Sequence, residues 1–384
     1  MYSFLLPTEM VCGQGAVSQL SKYVAEKQKV MIITDKSLVQ LGIVEKITKI
    51  IEDLGAEAYV YDDIPQNPHA PDVYDCLAKV KEGSADVLVA LGGGSPMDVA
   101  KVVAMMATDG GELEDYQWNF RQATVAPLPY IAIPTTAGTG SEATKTAVIV
   151  DRDTKKGFGG NALFAKAALI DPEMTVTLPP SLTATTGADA LTHAVEAYVS
   201  RGSNPWTDSL ALEAISMLSK YLPRAYANGQ DLIAREKVAV ASAMAGLAMD
   251  QSGLGVVHSI SGPIASHYDV PHGLSNAVLL VDGMKYNLMA VPERYARIAQ
   301  AMGVNTEFLS EREAAEAAVD AVEQLFQDMQ MPTSLNDYYV KYGADEGDVP
   351  RFAEEACAMF LMRSNPRTPA PKEMEVIIRK VLGC

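Results

Sequence analysis

Four short apolar runs in the first half of the chain constrain its fold more than any other feature of the sequence. They are KVMIITD at 29–35, AEAYVYD at 56–62, ADVLVALGGG at 85–94 and PYIAIPTT at 129–136. Each run is nearly continuous in apolar residues, which is typical of strands buried on both faces of a parallel sheet. Segments of helix length separate the runs. The pattern therefore predicts an α/β fold with helices on both faces of the sheet.

The strand-like runs stop after TLPPSL at 177–182, and the chain then becomes rich in Ala, Met and Leu at helical spacing. Pro179 and Pro180 mark a boundary, because the residue before a proline is disfavoured in a helix and a proline pair is stiff. The length of 384 residues suits two domains. We therefore predict an α/β domain at 1–179 and an all-helical domain at 180–384.

The net charge of the chain argues against two classes of binding partner, nucleic acids and membranes. It has 31 Lys and Arg against 48 Asp and Glu, a formal net charge of −17 at pH 7. Such a chain, without a cluster of basic residues, repels a phosphate backbone or an anionic bilayer, so neither nucleic acid nor membrane is an expected partner. The four cysteines form no CxxC pair, the N-terminus lacks the basic segment of a signal peptide, and no apolar stretch reaches the roughly 20 residues of a membrane span. We expect a cytoplasmic protein.

A glycine turn connects the third apolar run to a helix-like segment, SPMDVAKVVAMMA. Gly92, Gly93 and Gly94 let the backbone approach a ligand closely, and the N-terminus of the following helix offers unpaired N–H groups. This predicts a site for a pyrophosphate. The segment is neither a GxGxxG motif nor a P-loop, so a tight turn without a ligand stays open as the alternative from this segment alone.

A second loop, IAIPTTAGTGSEAT at 131–144, follows the fourth apolar run and is rich in hydroxyl groups. Two such loops at the carboxyl ends of neighbouring strands line the crevice where open α/β sheets bind nucleotides. Asp35 ends the first run, where a carboxylate accepts from a ribose 2′-hydroxyl and repels a 2′-phosphate, which favours NAD over NADP. Asp35 fits equally well as the N-cap of the helix that it precedes.

The spacing of acidic residues and histidines predicts a metal site. Asp189 and His193 are four residues apart, which places both on one face of a helix. Taken alone, this pair is more typical of an Asp–His hydrogen bond along a helix. His258 and His272 complete a set of one carboxylate and three imidazoles, which suits Fe²⁺, Zn²⁺, Co²⁺ or Ni²⁺.

Five segments carry a resemblance to a known family: GGGSPMDVAK (92–101), PTTAGTGSEAT (134–144), GADALTHAVEAYVS (187–200), GLGVVH (253–258) and PHGLSNAVLL (271–280). They closely resemble the iron-containing, group III alcohol dehydrogenases, in particular members of the lactaldehyde reductase and propanediol oxidoreductase type. The resemblance implies a Rossmann-like, NAD-binding α/β domain followed by a helical metal-binding domain, the dehydroquinate synthase-like fold. It also implies a homodimer that transfers a hydride between NAD(H) and a small primary alcohol or aldehyde.

The resemblance also assigns roles to individual residues. The family's metal ligands match Asp189, His193, His258 and His272, with Fe²⁺ as the expected ion and Zn²⁺ as the next. Its contacts to NAD match Asp35, Asn67, Gly93, Gly94, Ser95, Thr135, Thr136, Thr144, Lys155 and Leu178. Lys156 is adjacent to Lys155, and the spacing leaves either lysine open.

One departure from the family concerns proton transfer. The family commonly has a further histidine four residues after the third ligand, and this chain has Gly262 there. His267 is the catalytic candidate in its place. It lies nine residues after His258, on the opposite side of a continuous helix, so it replaces the missing histidine only if Pro263 breaks that helix. Otherwise His267 is a surface or core residue. Ala165 stands where the family has a proline, so the substrate is expected to be atypical.

Two other functions stay open. One is a glycerol dehydrogenase-like polyol oxidoreductase or a dehydroquinate synthase-like activity, because those groups resemble this family in fold and also hold a divalent metal. The other is a non-catalytic protein that binds nucleotide and metal, which Gly262 favours.

Overall fold

The computed structural model describes residues 2–118, 120–152, 154–343, 345 and 347–384. The chain divides into two compact units. Leu5–Leu178 form the first, called here the sheet unit. Pro179–Cys384, with the first residues of the chain up to Phe4, form the second, called here the helical unit.

The sheet unit contains a six-stranded parallel sheet and an antiparallel hairpin. Its strands are β1 (Glu9–Cys12), β2 (Lys29–Ile33), β3 (Glu57–Tyr61), β4 (Val87–Gly92), β5 (Tyr130–Pro134), β6 (Thr146–Asp151), β7 (Thr154–Gly159) and β8 (Ala167–Ile170). The order in the sheet is β1-β8-β5-β4-β2-β3, and β6 and β7 form the hairpin. The four predicted strands are β2, β3, β4 and β5, which lie side by side, so the parallel sheet is confirmed.

Helices cover this sheet. They are α1 (Lys36–Gln40), α2 (Ile43–Asp53), α3 (Ala70–Gly83), α4 (Gly94–Asp109) and α5 (Leu113–Tyr116), with short 3-10 helices at Ala16–Lys22, Ser141–Ala143, Asn161–Leu163 and Pro172–Thr175. Ile47 and Ile51 of α2 share one core cluster with Ile32 and Val89 of the sheet. Helices α3 and α4 pack on β2 and β4 as well. Successive residues of β4 are buried throughout, as expected for a strand covered on both faces.

Two strands of the sheet and the hairpin were not among the predicted strands. Strand β8, AALI, is half alanine, a residue with low preference for strands. Strand β1 lies at the edge, and its first and last residues are exposed, so it lacks the continuous apolar character of the inner strands. Their positions depend on pairing with β5 and with each other, which the local sequence does not encode.

The helical unit contains ten α-helices and no strand among the residues described. They are α6 (Pro180–Val199), α7 (Pro205–Ala227), α8 (Leu232–Ser252), α9 (Val256–Tyr268), α10 (His272–Asn287), α11 (Pro292–Ala301), α12 (Glu311–Asp328), α13 (Asn336–Lys341), α14 (Asp348–Ala358) and α15 (Pro371–Leu382), and a 3-10 helix spans Phe360–Ser364. The predicted helical second half is therefore confirmed. Helix α6 begins at Pro180, the position where proline costs a helix no hydrogen bond.

Helix α6 is the centre of this unit. Fifteen of its residues are buried, and it packs against α7, α8 and α10. Gly187 permits a close approach to α7, since a Cβ atom there would lie 2.2 Å from Cδ1 of Leu222. The helix is thereby fixed on several sides. Within the described ranges, no helix has both the length and the apolar character that crossing a membrane demands.

Candidate metal centre and nucleotide loops

The four predicted metal ligands come together in the helical unit. Helix α6 carries Asp189 and His193, α9 presents His258 from its first turn, and α10 begins at His272. One potential ligand atom from each of the four lies within 4.8 Å of the others. Three of these residues are buried, whereas the side chain of His272 is 39% exposed.

The distances from Asp189 to two of the histidines are too long for direct hydrogen bonds. Oδ1 of Asp189 lies 3.8 Å from Nε2 of His193 and 3.7 Å from Nε2 of His272. The rings of His193 and His258 are stacked, with centroids 4.8 Å apart. The alternative of a simple Asp–His hydrogen bond along α6 therefore does not describe this pair. The four potential ligand atoms nevertheless lie within 4.8 Å of one another.

Asn276 lies where the side chains of the four residues converge. Its Nδ2 lies 2.7 Å from Oδ1 of Asp189, 3.0 Å from Nε2 of His258 and 3.1 Å from Nε2 of His272. An amide nitrogen has two hydrogens, so it cannot donate to three acceptors at once. Oδ1 of Asn276 is buried and finds no hydrogen-bond partner among the described residues. Acceptors that converge in excess of the available donors fit a divalent cation.

The electrostatics of Asp189 agree with this fit. Burial raises the pKa of its carboxyl, but the neighbouring His193, His272 and His258 and the hydrogen bond from Asn276 outweigh burial. The net result is a pKa below the ordinary value of aspartate. Asp189 is therefore ionised at neutral pH, the state in which a carboxylate binds a metal.

The two predicted nucleotide loops lie together in the sheet unit, because β4 and β5 are neighbours. The backbone N–H of Thr135 donates to the carbonyl of Gly92 over 3.0 Å. Cβ atoms at Gly93 and Gly94 would lie 3.1 Å from Oγ1 of Thr136 and 3.0 Å from Cγ2 of Thr139. The glycines are thus needed for the close packing of the two loops. Gly93 has no side chain to cap α4, so the first N–H groups of that helix remain suited to an anion.

A buried lysine that sequence reasoning missed joins the two loops. Lys101 of α4 is 0% exposed, and its Nζ donates to Oγ of Ser141 (2.7 Å), Oγ1 of Thr144 (2.8 Å) and the carbonyl of Thr146 (2.7 Å). Thr144, a predicted NAD contact, is 2% exposed and holds its hydroxyl in this cluster. The signal that could have revealed Lys101 is its position within the apolar stretch VAKVVAMMA of α4.

Two acidic residues accompany Lys101. Asp98 accepts from Oγ of Ser141 over 2.7 Å and from the backbone N–H of Val148 over 2.9 Å, and its Oδ1 lies 3.9 Å from Nζ of Lys101. Burial raises its pKa in spite of these partners. Burial also raises the pKa of Glu142 to about 7, and the charge of Lys101 offsets only part of that effect. We call Asp98, Lys101, Ser141, Glu142 and Thr144 the lysine cluster.

The other predicted NAD residues are spread over the sheet unit. Asp35 is the N-cap of α1, where Oδ1 accepts from the backbone N–H of Ser37 over 2.9 Å. Asn67 precedes Pro68 with φ of 52°. Lys155 lies on β7, paired with Val150, and Leu178 ends the unit. Their roles toward NAD stay predictions.

His267 lies apart from the four predicted ligands. Helix α9 runs through Pro263 to Tyr268, so His267 is half a turn away from His258 around the helix. Its ring stacks on Phe352, and Nε2 lies 3.6 Å from Oε2 of Glu355. The continuous helix removes the condition under which His267 was expected to replace the missing histidine. The role of His267 in proton transfer stays a prediction, and its contacts with Phe352 and Glu355 do not support that role.

Met359 occupies the space beside Gly262. A Cβ atom at Gly262 would lie 3.0 Å from Sδ and 3.1 Å from Cε of Met359. Gly262 follows His258 by one turn of α9, so a thioether lies next to this part of the helix. A side chain at position 262 would therefore meet Met359 first.

Comparison with protein-family models gives two matches that together cover most of the chain. Residues 7–172 match the model for iron-containing alcohol dehydrogenase. Residues 183–382 match the model for the C-terminal part of the Fe-containing alcohol dehydrogenase family.

Individual relatives match over nearly their full length. The chain is 37% identical to an NAD-dependent methanol dehydrogenase of Bacillus methanolicus, covering 100% of both chains. It is 38% identical to a 1,3-propanediol dehydrogenase of Klebsiella pneumoniae, covering 99% of this chain and 98% of that protein. Among solved structures, a 1,3-propanediol oxidoreductase superposes with a TM-score of 0.93 at 37% identity, covering 99% of this chain and 100% of the other.

Proposed function

The chain belongs to the iron-containing alcohol dehydrogenase family, and we propose that it transfers a hydride between NAD(H) and a small primary alcohol or aldehyde. Its relatives include NAD-dependent methanol dehydrogenase and 1,3-propanediol dehydrogenase, both of which act on small alcohols. The observation that carries the proposal is the convergence of Asp189, His258 and His272 on one point, now faced by Nδ2 of Asn276.

Asp189, His193, His258 and His272 are proposed to hold a divalent cation. One carboxylate and three neutral imidazoles suit Fe²⁺ first, following the family, and Zn²⁺ second. A cation held by these residues would supply Lewis acidity toward the oxygen of an aldehyde or alcohol. Burial of three of the four residues excludes water from most of the site. The exposed side chain of His272 marks the side from which a small substrate approaches.

NAD is proposed to bind to the sheet unit. The first N–H groups of α4, at Gly94 and Ser95, and the hydroxyls of Thr135 and Thr136 are suited to the pyrophosphate. The chain carries an excess of acidic residues, so backbone N–H groups must provide the local attraction that net charge does not. Asp35 disfavours a 2′-phosphate at the ribose, which supports NAD over NADP.

Proton transfer is proposed to use water or a ribose hydroxyl of the cofactor. Position 262 is a glycine, and the His267 ring stacks on Phe352 and lies close to Glu355. A side chain at position 262 would first have to displace Met359. The apolar surface at Met359 suits a substrate with a short hydrocarbon part.

The remaining proposals concern organisation. We propose that residues 1–179 bind NAD and residues 180–384 bind the metal, and that the protein acts as a cytoplasmic homodimer. No membrane or nucleic-acid partner is proposed, in keeping with the net charge of −17.

Reduction of short aldehydes by NADH tests the proposed function. The purified protein is treated with a chelator, reloaded with Fe²⁺ or Zn²⁺, and assayed with a panel of short aldehydes. We expect NADH oxidation that depends on the metal. His258→Ala and His272→Ala should lose metal and about a thousandfold or more in rate, because several kcal/mol of transition-state stabilisation come from the cation.

His267→Ala is the matched control, since it removes an imidazole outside the cluster and should keep full metal content. Full activity and full metal in the His258 and His272 variants would show that the site is assigned wrongly. Activity on glycerol-like polyols alone would favour the polyol oxidoreductase, and metal and NADH binding without any turnover would favour the non-catalytic protein.

A further inference from the structure

A second carboxylate of α6 lies behind the metal centre. Glu196 is three residues after His193 and is 3% exposed. Its Oε2 lies 2.6 Å from Nδ1 of His258, the ring nitrogen opposite the one that faces Asp189 and His272. A buried carboxylate at this distance needs a hydrogen-bond donor.

Glu196 is held in place by the start of α9. Its Oε1 accepts from the backbone N–H of Val257 over 2.7 Å, and Oε2 lies 3.4 Å from the backbone N–H of His258. Negative charge at the N-terminus of a helix is stabilised by these N–H groups and by the helix dipole. Glu196 is therefore fixed before any metal binds.

These contacts determine which nitrogen of His258 carries the proton. An ionised carboxylate only accepts hydrogen bonds, so Nδ1 of His258 must donate to Glu196. In the neutral imidazole, Nε2 is then left with its lone pair. Nε2 is the atom that lies 3.0 Å from Nδ2 of Asn276, at the convergence point of the cluster.

We propose that Glu196 is a positioning residue that fixes the tautomer and the ring orientation of His258, so that Nε2 is ready to bind the cation. This inference rests on the proposed function only in requiring that the cluster binds a divalent cation. It adds a residue that the metal-ligand spacing did not select. Carboxylate partners of this kind orient metal-binding histidines and raise their basicity.

Glu196→Gln tests the tautomer of His258 while it keeps the size of the side chain at position 196. A glutamine keeps the volume and can still accept from the N–H of Val257 through its amide oxygen. Its NH₂ group then donates to Nδ1 of His258 and favours the tautomer with the proton on Nε2, which weakens metal binding. We expect the dissociation constant for Zn²⁺ and for Co²⁺ to rise about 10–100-fold, with a changed visible absorption spectrum of the bound Co²⁺.

Asn365→Ala is the matched control, because Asn365 caps the same helix end without serving His258. Its Oδ1 accepts from the N–H of Val256 over 3.0 Å and from Asn287 over 2.8 Å. We expect this variant to lose thermal stability while its metal affinity stays near that of the wild type. Metal affinity in Glu196→Gln equal to that of the wild type, or reduced equally in Asn365→Ala, would overturn the proposal.

A measurement on the wild type covers the case in which Glu196→Gln does not fold. The chain has five histidines, so ¹⁵N labelling of histidine gives few signals. In the Zn²⁺-loaded protein we expect His258 to carry its proton on Nδ1, and a proton on Nε2 would overturn the proposal. Neither readout depends on turnover, so a wild type that binds metal but reduces no aldehyde would refute the proposed function and leave the role of Glu196 standing.

Discussion

The lysine cluster of the sheet unit and the metal centre of the helical unit are both buried and polar, but their hydrogen bonds balance differently. Nζ of Lys101 has three hydrogens and three oxygens within 2.8 Å. Nδ2 of Asn276 has two hydrogens and three potential acceptors within 3.1 Å. Each hydrogen of the lysine has an acceptor, whereas the potential acceptors around the amide outnumber its hydrogens. Buried polar residues near a functional loop are thus of two kinds, and counting donors against acceptors tells them apart.

Removal of Lys101 should have the largest effect on this comparison. Lys101→Met leaves the hydroxyls of Ser141 and Thr144 and the carboxylate of Asp98 buried without their cation. We expect the free energy of unfolding to fall by about 3–5 kcal/mol, the cost of breaking a buried charge pair, and NADH to bind more weakly. Denaturant unfolding and fluorescence titration with NADH measure the two effects, and metal content should stay unchanged.

Lys36→Met is the control for this variant. Lys36 pairs with Asp63 at the surface, where both side chains are 66% exposed. A pair this exposed contributes little to stability, because water and salt screen it. Equal stability of the Lys101→Met and Lys36→Met proteins would mean that the lysine cluster is not the self-sufficient network described above.

The pH dependence of stability tests whether the charges of the lysine cluster are balanced as well as its hydrogen bonds. The pKa of Glu142 is about 7 in the folded protein, against an ordinary value of 4.5. Between these values the unfolded chain releases a proton that the folded chain keeps, so the wild type loses stability as the pH rises from about 4.5 to about 7. The Glu142→Gln protein has no carboxyl group at this position and should not lose this stability as the pH rises. We expect it to be more stable than the wild type above pH 7, by at most about 3 kcal/mol, and equally stable near pH 4.

Glu173→Gln provides a control of opposite sign, measured by the same thermal melts. The pKa of Glu173 is lowered by its hydrogen bonds with Lys46 and Gln14. Its contribution to stability is present above its unfolded pKa and lost as the pH falls, so the variant should be less stable than the wild type at neutral pH. A melting temperature of Glu142→Gln that follows the wild type at every pH would contradict the charge assigned to the cluster.

The smallest effect is expected beside the metal centre, at Gly262. Gly262→Ala gains helix propensity of about 1 kcal/mol, while its Cβ presses on the flexible end of Met359. We expect a net change within about 1 kcal/mol and unchanged metal content, measured by thermal melting and metal analysis. Gly187→Ala offers the contrast, because its Cβ would meet Leu222 at 2.2 Å and disturb α6 itself. A loss of metal in Gly262→Ala would show that Met359 helps to shape the centre.

The sequence predicted those parts of the fold whose pattern is local. Strands β2 to β5 are continuous apolar runs, and the helical half follows the proline pair at its start. Strand β8 was missed because AALI has little strand preference of its own and is held by its neighbours in the sheet. The hairpin of β6 and β7 was missed because residues such as Lys155, Lys156 and Gly157 lack the apolar character of an inner strand.

The candidate site divides in the same way. Asp189 and His193 were found because a spacing of four is a helical signal, and the geometry places His258 and His272 beside them. Lys101, Glu196 and Asn276 were missed because their partners are distant in sequence, at separations of 40, 62 and 87 residues for Ser141, His258 and Asp189. A long-range partner gives no periodic signal. His267 shows the converse, since a histidine close to a ligand in sequence lies half a turn away from it in space.

Asp189, His193 and Glu196 all project from α6, so the register of that single helix places two of the proposed ligands and the partner of a third. A slip by one residue would turn all three by about 100° at once. The three side chains therefore take their positions together. The close packing of Gly187 against Leu222 helps to set the register of α6. A substitution that disturbs the packing between α6 and α7, far from the four proposed ligands, would therefore also misplace Asp189 and His193.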